Sequence, residues 1–364
     1  MAVNATRVSA GGALDVLRRA WAAQQDGGLT SSWMLHGRPG VGKSEIIAQI
    51  ADEIGAELYD LRLTTIEPQD LRGLPFYDHD AGKTVWYRPE DLPDGDAPAI
   101  LFLDELTAAA PSLQPTVYGL LQERRVGRHV LPSNVLIVAA GNMVEDGAVA
   151  YEMGTALSDR LIHMIVQADA EDWLKNYAGA AGIHPSVAAF LKTRPDLFET
   201  TESALRKGEA IACTPRSWRR VSDIMHLNTP KPARQVMVAG TVGEAAAAEF
   251  LLLADEIAAT VQVEAMLQTP RADRMELYPA NLHGLTALVY GLLGAVKAET
   301  MPAAIDILAD MRQIDRPGVP VAELGTFGFE LLIARAMDNG WQAAFATSEA
   351  FAAYQSERAA AGLP

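Results

Sequence analysis

Cysteine is almost absent from this chain of 364 residues. Cys213 stands alone, which excludes an intrachain disulfide and suits a reducing, cytoplasmic setting. An export signal is missing too: MAVNATRVSAGG has no apolar core, so neither secretion nor cleavage is expected. Long apolar runs are also lacking. The best candidate, LTALVYGLLGAV at 285–296, falls short of the roughly 20 residues that a membrane span requires, and reads instead as a buried helix. Basic residues are outnumbered, leaving a formal net charge of −16, which disfavours a surface that coats nucleic acid and leaves room only for a locally basic pore or groove. Internal repeats and low-complexity tracts are absent, apart from an alanine-rich tail that reads as helix.

The composition that remains is that of an ordinary soluble protein, 49% hydrophobic and 21% charged, long enough for two or three domains. Its first half alternates short apolar runs at 33–36, 57–63, 100–103, 135–140 and 162–166 with helical patterns at 13–24, 45–54 and 112–123. This alternation predicts an α/β fold with a parallel sheet covered on both faces. ILFL and VLIVAA are apolar throughout, as central parallel strands should be. Beyond about residue 168 the chain turns helical. Asp169 reads as an N-cap, as does Thr214, which is followed by Pro215 at a first helical position. Later helices are expected at 242–259, 285–297, 302–313, 326–338 and 342–360, punctuated by Pro230-Lys231-Pro232 and by DRPGVP at 315–320.

Lysine is scarce, yet Lys43 sits in the glycine-rich stretch GRPGVGKS, between a strand and a helix. The pattern G-x-x-x-x-G-K-[ST] cradles phosphate. Gly37, Gly40 and Gly42 let the backbone curl its N–H groups inward, with Arg38, Pro39 and Val41 as the intervening residues. Lys43 brings charge to the outer phosphates, Ser44 a hydroxyl for Mg²⁺, and the following helix its positive end. The competing reading is a glycine turn with a solvated lysine.

Downstream, ILFLDE ends a buried strand in two carboxylates. Asp104 can reach an Mg²⁺ shell and Glu105 can polarise water, unless both only cap the next helix. The next apolar strand ends in Gly141-Asn142, where Asn142 either orients the same water or contacts the γ-phosphate, or is a turn residue. Two arginines complete the set. Arg160 precedes the last strand, and Arg216 falls in the first turn of a helix, where a cation gains only if an anion is near. Either would otherwise be a surface arginine paired with an acid, for Arg160 the neighbouring Asp159.

Across about 30–225 this set resembles the MoxR-like group of AAA+ ATPases, in the helix-2-insert clade: GRPGVGKS as P-loop, ILFLDE as Walker B, AAGN as sensor 1, LSDR with an arginine finger and TPRSW with a sensor-2 arginine. PSLQPTVYGLLQERRVG is similar to the pattern these relatives carry between Walker B and sensor 1. The resemblance implies a P-loop core at 1–168 with an insert hairpin around 64–93 and a helical lid at 169–260; the stretch at 261–364 lies outside the resemblance and reads from its residues as a helical extension. It implies ATP and Mg²⁺ as ligands, with Lys43, Ser44 and Asp104 at phosphate and metal, Glu105 as base and Asn142 as sensor 1. Arg216 would act within its own subunit and Arg160 on the neighbour's ATP, which requires a ring, usually a hexamer. PFYDHDAGKTVWYRP also reads directly as two short aromatic strands around a glycine turn. ERRVGR at 123–128 reads as a second axial hairpin or as an exposed turn.

The function implied is an ATP hydrolase that remodels or matures a client protein, chaperone-like, with a von Willebrand A-domain protein as the partner type. A nucleic-acid motor or loader is the alternative from another class, opposed by the net charge and by the lack of an appended DNA module. A slow nucleotide-gated scaffold is a third, opposed by the intact Glu105 and Arg160.

Overall fold

The structure is a computed structural model that describes residues 3–143 and 154–360. The chain divides into two compact units, one ending at Asp169 and the other beginning at Ala170.

Among the described residues the first unit contains the strands β1 (Arg7–Val8), β2 (Ser32–His36), β3 (Glu57–Arg62), β4 (Pro75–Asp78), β5 (Lys83–Trp86), β6 (Ala99–Asp104), β7 (Arg125–Val126), β8 (His129–Val130), β9 (Val135–Gly141) and β10 (Leu161–Val166). Its helices are α1 (Ala10–Gln25), α2 (Lys43–Ile54), α3 (Pro68–Arg72), α4 (Gln114–Tyr118) and α5 (Thr155–Ser158). Six strands form one wholly parallel sheet in the order β1-β10-β2-β9-β6-β3, the parallel α/β arrangement that the alternating pattern led us to expect.

The apolar runs are explained by burial on both faces. Leu136, Val138 and Ala140 of β9 join Ile100 and Phe102 of β6 and Leu35 of β2 against α1 and α2. Ile137 and Ala139 face the other way with Leu101, Leu103 and Met34, under Leu113, Val117 and Leu120. A period of two is hidden in the sequence because neither face meets water. The helix expected at 112–123 splits: α4 gives way to a π-helical turn at Gly119–Glu123, ended by Arg124 in a left-handed conformation. There the Arg124 guanidinium donates to the Pro132 and Val135 carbonyls, at 2.9 and 2.5 Å.

Two small antiparallel hairpins leave the sheet. β4 and β5 pair Pro75 with Trp86 and Asp78 with Lys83. β7 and β8 pair around Gly127-Arg128, so ERRVGR is a hairpin rather than a mere turn. The two-residue strand β1 carries no pattern long enough to read.

The second unit is helical: α6 (Ala170–Trp173), α7 (Pro185–Thr193), α8 (Thr201–Lys207), α9 (Pro215–His226), α10 (Lys231–Val242), α11 (Glu244–Thr260), α12 (Val263–Gln268), α13 (Leu282–Ala295), α14 (Met301–Met311), α15 (Val321–Asn339), α16 (Ala343–Ala346) and α17 (Glu349–Ala360). The apolar stretch LTALVYGLLGAV lies mostly in α13, which is buried along nearly its whole length. Among the described residues no helix is long and apolar enough to cross a membrane. Trp218 of α9 contacts Phe190 of α7 and Phe250 of α11, with ring centroids 5.2 and 5.7 Å away. Cys213 is buried, and burial pushes its thiol up to about 11, so it is an inert core residue. The tail expected as one helix at 342–360 breaks at Thr347-Ser348 between α16 and α17.

Candidate nucleotide site

Gly37 follows the last residue of β2 and Gly42 precedes α2, so the glycine loop joins a strand end to a helix start. A side chain at Gly37 would place its Cβ 2.5 Å from the Val166 carbonyl oxygen, so the loop's close approach to β10 requires glycine. Gly42 is left-handed (φ 101°) and offers no side-chain cap to α2. The first-turn N–H groups of α2 therefore have no capping side chain from Gly42, which is the condition for anion binding at a helix start. Glu45 in the same turn would oppose an anion by its charge but is exposed.

Lys43 is folded back over the loop. Its Nζ donates to the Gly37 carbonyl at 2.5 Å, the Arg38 carbonyl at 3.1 Å and Asn142 Oδ1 at 3.1 Å. The last contact ties the loop to the tip of β9, the strand beside β2. Asn142 is itself placed by Thr107, whose hydroxyl donates to its carbonyl at 3.0 Å. Thr107 packs so tightly that a Cβ on Gly141 would lie 2.5 Å from its Oγ1. On the other side of β9, β6 delivers Asp104 and Glu105. Three neighbouring strand ends thus bring Lys43, Asn142, Asp104 and Glu105 to one edge of the sheet, the carboxyl edge where open α/β sheets bind ligands.

Glu105 has a left-handed backbone (φ 59°), rare for a residue with a side chain and typical of functional positions. Its carboxylate accepts from the Thr64 hydroxyl and lies 3.8 Å from Arg62 Nε, both at the end of β3. The Asp104 carboxylate accepts from the Glu105 N–H at 2.8 Å, a local bond that fixes the turn. Ser44 is exposed on the first turn of α2. Among the described residues no group of three or more His, Cys, Asp or Glu could hold a metal alone. A hydroxyl and one carboxylate suit Mg²⁺ only when substrate phosphates and water fill its other positions. These residues fit Mg²⁺ arriving with a nucleotide.

Sequence reasoning missed four contributors. Thr64, Arg62 and Thr107 are ordinary polar residues whose roles depend on which strand end lies beside which. His36, buried at the end of β2, is the fourth: its Nε2 lies 2.8 Å from His163 Nδ1, with the rings stacked. Burial, aided by His163 and Lys43, holds His36 down at about 4, so it is neutral near neutral pH. A histidine at the end of an apolar run was the available signal.

Arg160 stands elsewhere. Leu161, the residue after it, pairs with Ser32 at the start of β2, whereas the P-loop follows His36, which pairs with Ile165. At roughly 3.3 Å per residue, Arg160 is about 20 Å from its own P-loop, along the sheet. Its Nε donates to Gln122, and its guanidinium lies over the Tyr118 ring at 5.8 Å, both at that far end. Arg216 belongs to the second unit, where it is exposed in the first turn of α9. Thr214 caps that helix, its hydroxyl accepting from the Ser217 N–H at 3.1 Å, and Pro215 is the first helical residue.

Residues 32–161 match the family described as an AAA domain of the dynein-related subfamily. No curated protein matches the chain. Among solved structures it is similar to the RuvB Holliday junction branch migration motor of Thermotoga maritima, at 16% identity over 80% of this chain and 82% of that one, with a TM-score of 0.38. A mutant of the same RuvB is similar at 15% identity over 80% and 86%, with a TM-score of 0.40. A candidate ATPase of Cytophaga hutchinsonii is similar at 16% identity over 63% and 81%, with a TM-score of 0.36. The matched segment contains GRPGVGKS, ILFLDE and Asn142.

Proposed function

We propose that the chain is a ring-forming ATP hydrolase of the MoxR-like AAA+ type that spends the cycle on remodelling or maturing a client protein. The observation that carries this reading is the Lys43–Asn142 contact at 3.1 Å, beside the strand end that bears Asp104 and Glu105. In this reading the loop N–H groups and Lys43 hold the β- and γ-phosphates. Glu105 accepts a proton from water as its oxygen attacks the γ-phosphorus, while the bond to the ADP oxygen breaks. Mg²⁺, held by Ser44 and Asp104 with the phosphates, would neutralise charge developing on the leaving oxygens. Asn142 positions the attacking water or the γ-phosphate, and reports through Lys43 whether that phosphate is present.

The position of Arg160 favours assembly. An arginine about 20 Å from its own loop serves a nucleotide only if another copy presents one. Arg216 would close the helical region on the nucleotide of its own copy, and loss of the γ-phosphate would release it. In this reading the chain would comprise a core at 1–168, a lid at 169–260 and an extension at 261–364, and the β4–β5 hairpin would face the ring axis. A von Willebrand A-domain protein is the client type that the MoxR resemblance suggests, in a cytoplasmic setting.

The test is a pull-down with Glu105→Gln held in ATP and Mg²⁺. This form should keep nucleotide and assembly while turnover falls roughly 10²–10⁴-fold. Co-purification of an A-domain protein in an ATP-dependent manner supports the reading, whereas nucleic acid alone would contradict it.

A further inference from the structure

The far end of the sheet, away from the P-loop, holds a cavity of about 520 Å³ within the first unit. Three arginines from three separate elements line it: Arg72 from the end of α3, Arg125 from β7, and Arg160. Tyr118, Gln122 and Glu123 are among the other lining residues, so one carboxylate faces three guanidinium groups. In a chain of net charge −16 this local excess of positive charge is unexpected. Like charges around one cavity repel, and a polyanion removes that cost.

The guanidinium groups are held in position. Arg160 donates to Gln122 and lies over Tyr118. Arg72 stacks on Trp86 of β5, 4.7 Å from the ring centre. Arg125 donates to the Gly127 carbonyl through Nη2 at 2.7 Å and Nε at 3.2 Å. A guanidinium has five donors in a fixed fork that matches phosphate oxygens two at a time. The volume falls in the range of small-molecule sites.

We propose that this cavity receives the terminal phosphate groups of a nucleotide held in the P-loop of a second copy of this chain, with Arg72 and Arg125 contacting phosphate beside Arg160. The inference rests on the ring reading above and extends it from one arginine to three. It also supplies a mechanical link. Arg72 touches the first hairpin through Trp86, and its carbonyl lies 3.1 Å from His129 Nε2 of the second hairpin. Departure of the phosphate would therefore be felt by both hairpins at once.

The test compares steady-state ATPase of the full-length wild type with Arg72→Gln, Arg125→Gln and Arg160→Gln, alongside nucleotide binding and thermal denaturation. All three variants should bind ATP and unfold like wild type yet lose on the order of 10²-fold or more in kcat. Arg125→Lys should not restore the rate, since lysine lacks the fork. Mixing Arg125→Gln with Lys43→Ala should give more activity than the two proteins separately, because the second supplies intact arginines to the P-loop of the first. If Arg160→Gln is impaired while Arg72→Gln and Arg125→Gln turn over as wild type, this inference fails and the ring reading stands. If all three turn over as wild type, both fail. Binding of inorganic triphosphate to isolated Lys43→Ala protomers, abolished by Arg125→Gln without any effect of that substitution on ATPase, would assign the cavity to a free anion and overturn the proposal.

Discussion

Glu105 combines a left-handed backbone with a carboxylate gripped by Thr64 and Arg62. Left-handed backbone costs an ordinary residue roughly 1–2 kcal/mol, and asparagine far less. Glu105→Asn is therefore expected to leave the domain at least as stable as wild type by thermal denaturation while ATP turnover falls roughly 10²–10⁴-fold. A variant that unfolds earlier yet hydrolyses normally would remove Glu105 from the reaction. Asn142 offers the complementary case: Asn142→Ala frees Lys43 from one of its acceptors and should lower kcat by roughly 10²-fold with ATP still bound, read by steady-state kinetics and nucleotide titration. At this scale the sequence was most informative where one residue type has one chemical use. A lysine among glycines points to phosphate, and two acids after an apolar strand point to metal and water. Thr64 and Thr107 were illegible because a threonine gives no sign of which strand end its hydroxyl will meet.

Elements enter through close approach. Gly37→Ala would drive a methyl group against the Val166 carbonyl, and is expected to destabilise the first unit by roughly 1–3 kcal/mol and to weaken nucleotide binding, checked by denaturation and titration. The stacked pair His36–His163 joins β2 to β10 in the same region. His36 titrates at 6.5 when unfolded but at about 4 when folded, so between these values the unfolded chain takes up a proton that the folded one refuses. Stability of the first unit should fall as pH drops through that window, by about 3 kcal/mol in all, and return as pH rises to 6.5. His36→Gln should flatten the profile in thermal denaturation between these pH values, and an unchanged slope would show that the acid sensitivity lies elsewhere. His184 in the second unit, also held near 4 by burial, should add a similar slope to that unit. The central strands were readable because burial on both faces leaves apolar runs. Strand β1 is too short to carry a period, and α10 was hidden because Lys231-Pro232 reads as a break although proline is tolerated in a first helical turn.

For the whole molecule the decisive geometry is that the P-loop and Arg160 occupy opposite ends of one parallel sheet. That separation is invisible in the sequence, where only strand register can reveal it. It divides the proposed chemistry between copies, with Lys43, Asp104, Glu105 and Asn142 from one and Arg160 from the next. The most direct measurement is specific ATPase activity of wild-type protein against protein concentration, with particle size followed in parallel. Activity should be negligible in the dilute single chain and rise to a plateau as larger particles form. Arg160→Ala should assemble yet stay roughly 10³-fold or more below that plateau. Full specific activity in single chains at every dilution would contradict a site shared between copies.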